Sequence, residues 1–395
     1  MRGGSGESPF LKRNPVFEFL LCTIFRILLF YESFLFAISN FWKFFLNPLA
    51  AFLSSSLERP LEFQEVLLCS KQKVTILRDD RLAFGIGTKF RKFFGIHSDL
   101  ENKGIHEVIL QGELHSNLLA SFSFLFRVFG YRVNTYSYSR DPKKVTFNSR
   151  IVKINSHTLK VFPSRFQWKE GFIDQKSNVA KVFEFEEGGN LSLDSDFSTI
   201  GDPDSSFKSH VLIPEYGFGP EAVPGLTSLW KQIPISNFNH LVIDIGSGLT
   251  WLAAKNFFGD TIPVHGVSIG LEKSKMIPWL QRKRRELKFS GFEIGQDSIW
   301  ESEVKAGFGS SSPDLFGFCN SFFDNNSIPI EPIYSGKTLY TIRKRMEGAG
   351  ISGKILYLHQ GGLWNFLDSF LPRIQEKKIG NDKNGSERLG TTPLD

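Results

Sequence analysis

The chain has little cysteine. Three residues in 395, Cys22, Cys69 and Cys319, lie far apart and form no CxxC pair. That spacing excludes a disulfide framework and a cysteine zinc site, and it fits a reducing compartment. The eight histidines include no HExxH pair, so no metal site is expected. A long uncharged apolar run is also missing. The apolar stretch 19–53 is interrupted by Arg26, Glu32 and Lys43 and never reaches the roughly 18–20 residues that span a bilayer. It has no compact apolar core followed by a small-residue cleavage site, as a signal peptide would have. Residues 1–53 are therefore read as a hydrophobic extension, either packed on the body or absent from the native protein, with membrane contact confined to about residues 10–53. Strong charge of either sign is lacking too. The net charge of +6 is mild for this length and implies no nucleic-acid partner. The densest basic run, QRKRRELK (281–288), reads as a solvated helix face. No internal repeat is evident.

What is present is a globular composition, 41% hydrophobic and 22% charged, long enough to bury a full core. Phenylalanine is abundant, at 41 residues, and by itself carries no functional meaning. From residue 73 onward strands alternate with helices. KVTILRDD (73–80), EVILQG (107–112), YRVNTYSY (131–138), HLVIDIGSG (240–248) and KILYLHQGG (354–362) read as strands, several running into glycine turns. HSNLLASFSFLFRVFG (115–130) has apolar residues at helical spacing and a closing Gly130, and TLYTIRKRM (338–346) reads as helix. This alternation predicts an α/β fold with mostly parallel sheet, in which ligands sit where strand ends turn into helix N-termini. Turns at 112–117, 246–250, 335–337 and 360–362 occupy such places. The polar stretch 186–206 reads as a loop or a link between lobes.

VIDIGSGLTWLAA (242–254) is a strand, a Gly-Ser-Gly turn and a helix, a natural anion cradle built from amides and the Ser247 and Thr250 hydroxyls. Trp251 stands where a dinucleotide fingerprint needs its third glycine, which disfavours NAD. The segment alone leaves three readings open. They are a phosphate cradle, the first motif of S-adenosylmethionine methyltransferases with Glu272 as the acid after the next strand, and a plain structural turn.

Six segments taken in order, RDDRLAFGIGTKFRKF, QGELHSN, IPEYGFGPEAVPG, IDIGSGLT, EPIYSGKTLY and YLHQGG, resemble the 1-aminocyclopropane-1-carboxylate deaminase and D-cysteine desulfhydrase family. The resemblance covers roughly residues 57–370. It implies the tryptophan-synthase-β fold, also called pyridoxal-phosphate (PLP) fold type II: two open parallel-sheet lobes with the cofactor between them. On this pattern residues 54–92 and 207–375 form the larger, cofactor-binding lobe, 93–206 the smaller one, and 376–395 a polar tail.

The resemblance also implies roles. Lys89 matches the lysine that forms the Schiff base with pyridoxal 5′-phosphate, and the glycines before it are expected to let the backbone approach the cofactor ring. Only a primary amine can form that bond, and burial would keep it deprotonated. Arg78, Asp79, Asp80, Arg91 and Lys92 match the flanking pattern. Ser116 and Asn117 match a Ser-Asn pair, the asparagine beside the ring's 3′ oxygen and the serine near the substrate carboxylate, although either also suits a helix N-cap. Gly246, Ser247, Gly248, Leu249 and Thr250 match the phosphate loop. Tyr334 matches a tyrosine near the substrate, and Ser335 the residue facing the pyridine nitrogen. A hydroxyl there cannot enforce protonation of that nitrogen, which favours β-elimination over cyclopropane ring opening.

The implied activity is a PLP-dependent lyase or deaminase of a small amino acid, giving a keto acid and ammonia, in a cytoplasmic homodimer. The alternatives are 1-aminocyclopropane-1-carboxylate deaminase, a non-catalytic PLP-binding relative and a methyltransferase. Departures from the pattern stand at Thr88, at Glu113, at the bulky Tyr216 and Phe218, and at Phe308, where a second tyrosine is expected.

Overall fold

The computed structural model describes residues 39–69, 72–141, 143–178, 210–304, 307–308 and 310–368. The predicted link at 186–206, the tail at 376–395 and most of the N-terminal extension lie outside the described residues. Two compact units are present, 1–49 and 50–395. Helix α1 (Ser39–Ser56) contains Pro48, and no described helix is long and apolar enough to cross a membrane.

The second unit holds two sheets. Strands β1 (Phe63–Cys69) and β2 (Gln72–Leu77) form an antiparallel edge. The chain then makes helix α2 (Thr88–Asn102), strand β3 (Glu107–Glu113), helix α3 (Asn117–Val128) and strand β4 (Arg132–Tyr138). Helix α4 (Phe147–Asn155), strand β5 (Thr158–Phe162), helix α5 (Arg165–Asn178) and strand β6 (His210–Leu212) follow. Helix α6 (Val223–Trp230) leads to strand β7 (His240–Ile245), helix α7 (Leu249–Phe258), strand β8 (Val264–Ser268), helix α8 (Lys273–Glu286) and strand β9 (Ile299–Glu301). Helices α9 (Pro313–Asn326) and α10 (Ser335–Glu347) precede strand β10 (Ile355–Leu358). The larger sheet has the order β1-β2-β10-β7-β8-β9 and the smaller β5-β4-β3-β6. All pairings except β1–β2 are parallel. The α/β class with two parallel-rich sheets is thus the observed one. Strand β6, at 210–212, belongs to the smaller sheet.

Strands buried on both faces explain the near-continuous apolar runs in β7 and β10, whose Leu241–Ile243 and Ile355–Leu358 are buried. Helices α9 and α10 cover one face of the larger sheet, packing Phe318, Phe322, Leu339 and Ile342 against Val242, Val267 and Tyr357. Much of the phenylalanine has a structural use. Phe93 of α2 meets Phe126 and Phe129 edge-on, each at 4.9 Å between ring centres. Such pairs add about 0.5–1.5 kcal/mol beyond the area they bury. This aromatic seam packs α2 against α3 one turn beyond Lys89.

Candidate active site

Strand β2 ends at Leu77, and the three residues that follow are spent on anchoring. Asp80 accepts a two-pronged hydrogen bond from Arg78, at 2.8 Å on each arm. Buried Asp79 accepts from the Thr88 hydroxyl at 3.0 Å and from Arg91 at 2.8 Å. Thr88 and Arg91 bracket Lys89 in the first turn of α2, so Asp79 sets the rotation of that turn. Arg91 is thereby a structural ion pair, whereas Lys89 and Lys92 are left on another face.

The glycines ahead of Lys89 serve a different approach from the one expected. The turn 83–88 presses main chain to main chain against the turn 360–362. The Thr88 amide donates to the Gln360 carbonyl at 3.2 Å, and the Gly362 amide to the Gly85 carbonyl at 3.1 Å. A Cβ on Gly87 would sit 2.4 Å from the Gln360 oxygen, and one on Gly361 2.5 Å from the Ile86 oxygen. The neighbour that demands glycine is the second turn.

Burial pushes the Lys89 amine below its ordinary value, against the pull of the Asp244, Glu331 and Asp79 carboxylates. Lys92, one helical turn on, is pushed down to about 7 by burial and then by the like charge of Lys89. Asp244 and Glu331 were not singled out in the sequence. Both are buried, and burial raises both carboxyls, Glu331 to about 7. Their signal was an acid at the end of a buried strand, in VIDIG, and an acid before a tight turn, in EPIYSG.

The turns carrying these groups converge. Gln360 donates its side-chain amide to the Asp244 carbonyl at 2.8 Å, and the Tyr357 hydroxyl donates to the Asp244 carboxylate at 3.2 Å. Glu331 accepts the amides of Ile333, Tyr334 and Ser335 at 2.7–3.1 Å. Ser335 is buried, and its hydroxyl accepts from the Glu331 amide at 3.0 Å, so it closes its own turn and has Glu331 behind it. Gly246 lies against the ring of Tyr334, which would stand 3.3 Å from a Cβ there. Gly248, at φ 98°, opens α7, and Ser247 is pinned through its carbonyl by the Trp279 indole at 3.0 Å. Leu249 and Thr250 are buried in the first turn of that helix. Phe308 reaches Tyr334, with ring centres 5.7 Å apart, and stays 43% exposed.

The loop between β3 and α3 closes the other side. The Ser116 hydroxyl caps α3 by accepting from the Leu119 amide at 3.1 Å. Asn117 and Leu118 are the first two residues of α3, so their backbone amides lie outside the helix's own hydrogen-bond ladder. Asn148 donates from its Nδ2 to the His115 carbonyl at 2.9 Å, and a carbonyl can only accept, which fixes how the Asn148 amide faces. The same Nδ2 lies 2.9 Å from Asn117 Oδ1 and 2.8 Å from Asn365 Oδ1, so its two hydrogens are shared among three acceptors and Asn117 faces it with its oxygen. Asn117 Nδ2 is then left buried with no partner, a donor awaiting an oxygen. Glu113 accepts from the His115 amide at 2.8 Å, and burial raises its carboxyl to about 7. Burial pushes the Tyr334 phenol up, followed by the Glu331 and Asp244 carboxylates, with Tyr216 and Glu113 smaller contributors. Tyr216 itself is held at φ 68°. Glu272, the acid required by the methyltransferase alternative, is spent in an exposed ion pair with Lys275 at 3.5 Å.

No protein-family model matches the chain, and no curated protein matches it in sequence. Solved structures do share its fold. An ACC deaminase homologue superposes with a TM-score of 0.60 at 17% identity, over 82% of this chain and 98% of that one. O-ureido-L-serine synthase gives 0.52 at 12% identity, over 80% and 94%. Its K43A mutant with O-ureido-L-serine bound gives 0.54 at 13%, over 85% and 98%. At these identities the likeness is one of fold, and it is the fold expected from the sequence: two open parallel-rich sheets of PLP fold type II.

Proposed function

We propose that the chain is a PLP-dependent lyase or deaminase of a small amino acid, carrying out a D-cysteine desulfhydrase-like β-elimination. One observation carries the reading. A lysine amine held toward neutrality stands among the same converging turns as a glycine-lined helix N-terminus and a buried, partnerless amide donor. These three features fit the aldehyde, phosphate and ring oxygen of pyridoxal phosphate. When bound, the cofactor supplies a carbonyl for an amine and a ring that takes up electrons from the substrate α-carbon.

The chain's own residues divide the remaining work. Lys89 would hold the cofactor, and its Nζ, held toward neutrality by burial, would serve as the base for the α-proton. The amides of the 246–250 turn, with the Ser247 and Thr250 hydroxyls, bind the phosphate. Asn117 donates to the ring oxygen. The amides of Asn117 and Leu118, at the positive end of α3, bind the substrate carboxylate beside Ser116. Tyr334 walls the substrate side and Ser335 backs the ring. With D-cysteine and water the products are pyruvate, sulfide and ammonia, which balance.

A second reading, a PLP-binding relative without turnover, is favoured by Phe308, which lacks the phenol expected at its position. The experiment that separates the two incubates the PLP-loaded chain with D- and L-amino acids and measures ammonia and keto acid. Release that disappears in Lys89→Ala supports the lyase. Bound PLP with no product from any small amino acid leaves the second reading.

A further inference from the structure

A cavity of about 450 Å³ opens beside the first residue of β7, at the opposite end of that strand from Asp244. His240, His265, Trp300, Arg345 and Lys273 line it, with the loop 349–352. His240 Nδ1 and His265 Nε2 lie 3.0 Å apart, so one ring donates to the other and neither needs a second proton. His265 stacks on Trp300 with ring centres 4.4 Å apart, and the Arg345 guanidinium rests over the same indole, also at 4.4 Å. Arg345 makes no ion pair among the described residues, and its Nε is buried without a partner. A part-buried guanidinium in a concave wall, with no salt-bridging carboxylate among the described residues, is open to an anion. Stacking on an indole leaves the donors of the planar fork available.

We propose that this cavity binds a small anion through a carboxylate or phosphate group, gripped by Arg345 and the His240–His265 pair, with Lys273 at the rim. An anion in the cavity favours a second proton on the pair, so binding takes up a proton and tightens as pH falls. Burial holds both imidazoles below their ordinary value when the cavity is empty, His265 at about 4, which agrees with a neutral pair at pH 7. The charged groups that face the pair are Arg345 on α10, Lys255 on α7, Lys273 on α8 and the single lining acid, Asp297, ahead of β9. Glu303 attracts the Arg345 charge but forms no ion pair with it among the described residues. The inference is independent of the reaction proposed above.

Sulfate is the clean probe, because its own charge is constant across neutral pH. Calorimetry on the full-length chain saturated with PLP, which keeps the probe from the 246–250 turn, should show a site that Arg345→Gln weakens, apart from any binding at the α3 N-terminus. Affinity should rise about tenfold from about pH 8 to about pH 6, with a proton taken up from buffer. Arg345→Gln should weaken binding about tenfold or more. Phosphate and malonate should be tested as competitors. Whichever displaces sulfate identifies the anionic group of the physiological ligand, and failure of both overturns the proposal. So does the absence of sulfate binding at millimolar concentration, or binding that Arg345→Gln leaves unchanged. If Arg345→Gln does not fold, His240→Asn serves instead. It should remove the pH dependence, and an unaltered dependence overturns the proposal.

Discussion

Gly87→Ala should destabilise the protein more than Gly104→Ala, although the two glycines share a positive φ, +68° and +67°; Gly87 also has ψ −138°, outside the left-handed region. Left-handed backbone costs alanine about 1–2 kcal/mol relative to glycine, and the Gly87 ψ adds to the cost there, because positive φ with extended ψ is almost confined to glycine. At Gly104 nothing lies within 4 Å of an added Cβ, so the backbone is the whole cost. At Gly87 the methyl would stand 2.4 Å from the Gln360 oxygen and 2.9 Å from Gly361 Cα. Both are main-chain atoms, held by the Thr88–Gln360 and Gly85–Gly362 hydrogen bonds, and they cannot swing aside as a side chain would. Overpacking of this kind adds about 1–3 kcal/mol. Gly87→Ala should therefore lose about 2–5 kcal/mol and Gly104→Ala about 1–2. Urea unfolding followed by tryptophan fluorescence measures both against the parent. Equal midpoints for the two variants, at equal slopes, would refute the claim that the turns at 85–87 and 360–362 meet backbone to backbone.

Three further outcomes follow from the site. Asn117→Ala should weaken PLP binding about tenfold, the worth of roughly one buried hydrogen bond. It should leave the fold intact, because Asn148 keeps its bonds to the His115 carbonyl and to Asn365; spectroscopic titration with PLP reads the change. Lys92→Met should stabilise the cofactor-free chain near neutral pH. The folded Lys92 titrates at about 7 against 10.5 for an ordinary lysine, so between those values the unfolded chain holds a proton that the folded one lacks. Stability of the parent then rises with pH across that window, and the advantage of Lys92→Met should be full below about pH 7 and gone near pH 10 in melting curves. Burial raises the Glu113 carboxyl to about 7, and Glu113 stands in the loop proposed to bind the substrate carboxylate. Substrate KM should therefore rise as pH passes about 7, and Glu113→Gln should flatten that rise; a pH-independent KM in the parent would remove Glu113 from the pocket.

Local pattern made several elements legible. The apolar spacing and closing Gly130 marked α3, and β7 and β10 run into the glycine turns at 246–248 and 360–362 as the pattern predicts. Ser116 reads from sequence as a cap and is one. Contacts between distant segments were not legible, because no local period reports them. Asn117 shows its unpartnered donor only once Asn148, 31 positions on, takes its other end. The glycines at 85 and 87 look like an accommodation to a ligand until the 360–362 turn is seen beside them. Asp244 and Glu331 are single acids in apolar surroundings, and only the meeting of β7, β10 and the 331–335 turn sets them around Lys89. The excess of phenylalanine had no local meaning, and the seam between α2 and α3 supplies one.

The central claim is that the Lys89 amine, and not its buried neighbour Lys92, carries the cofactor. Incubation with PLP, borohydride reduction and peptide mass spectrometry test it directly. The account predicts a visible absorption band at roughly 410–430 nm before reduction. After reduction a single pyridoxyl group should sit on Lys89, with none in Lys89→Ala. A label on Lys92, or no label with the cofactor in excess, would contradict it.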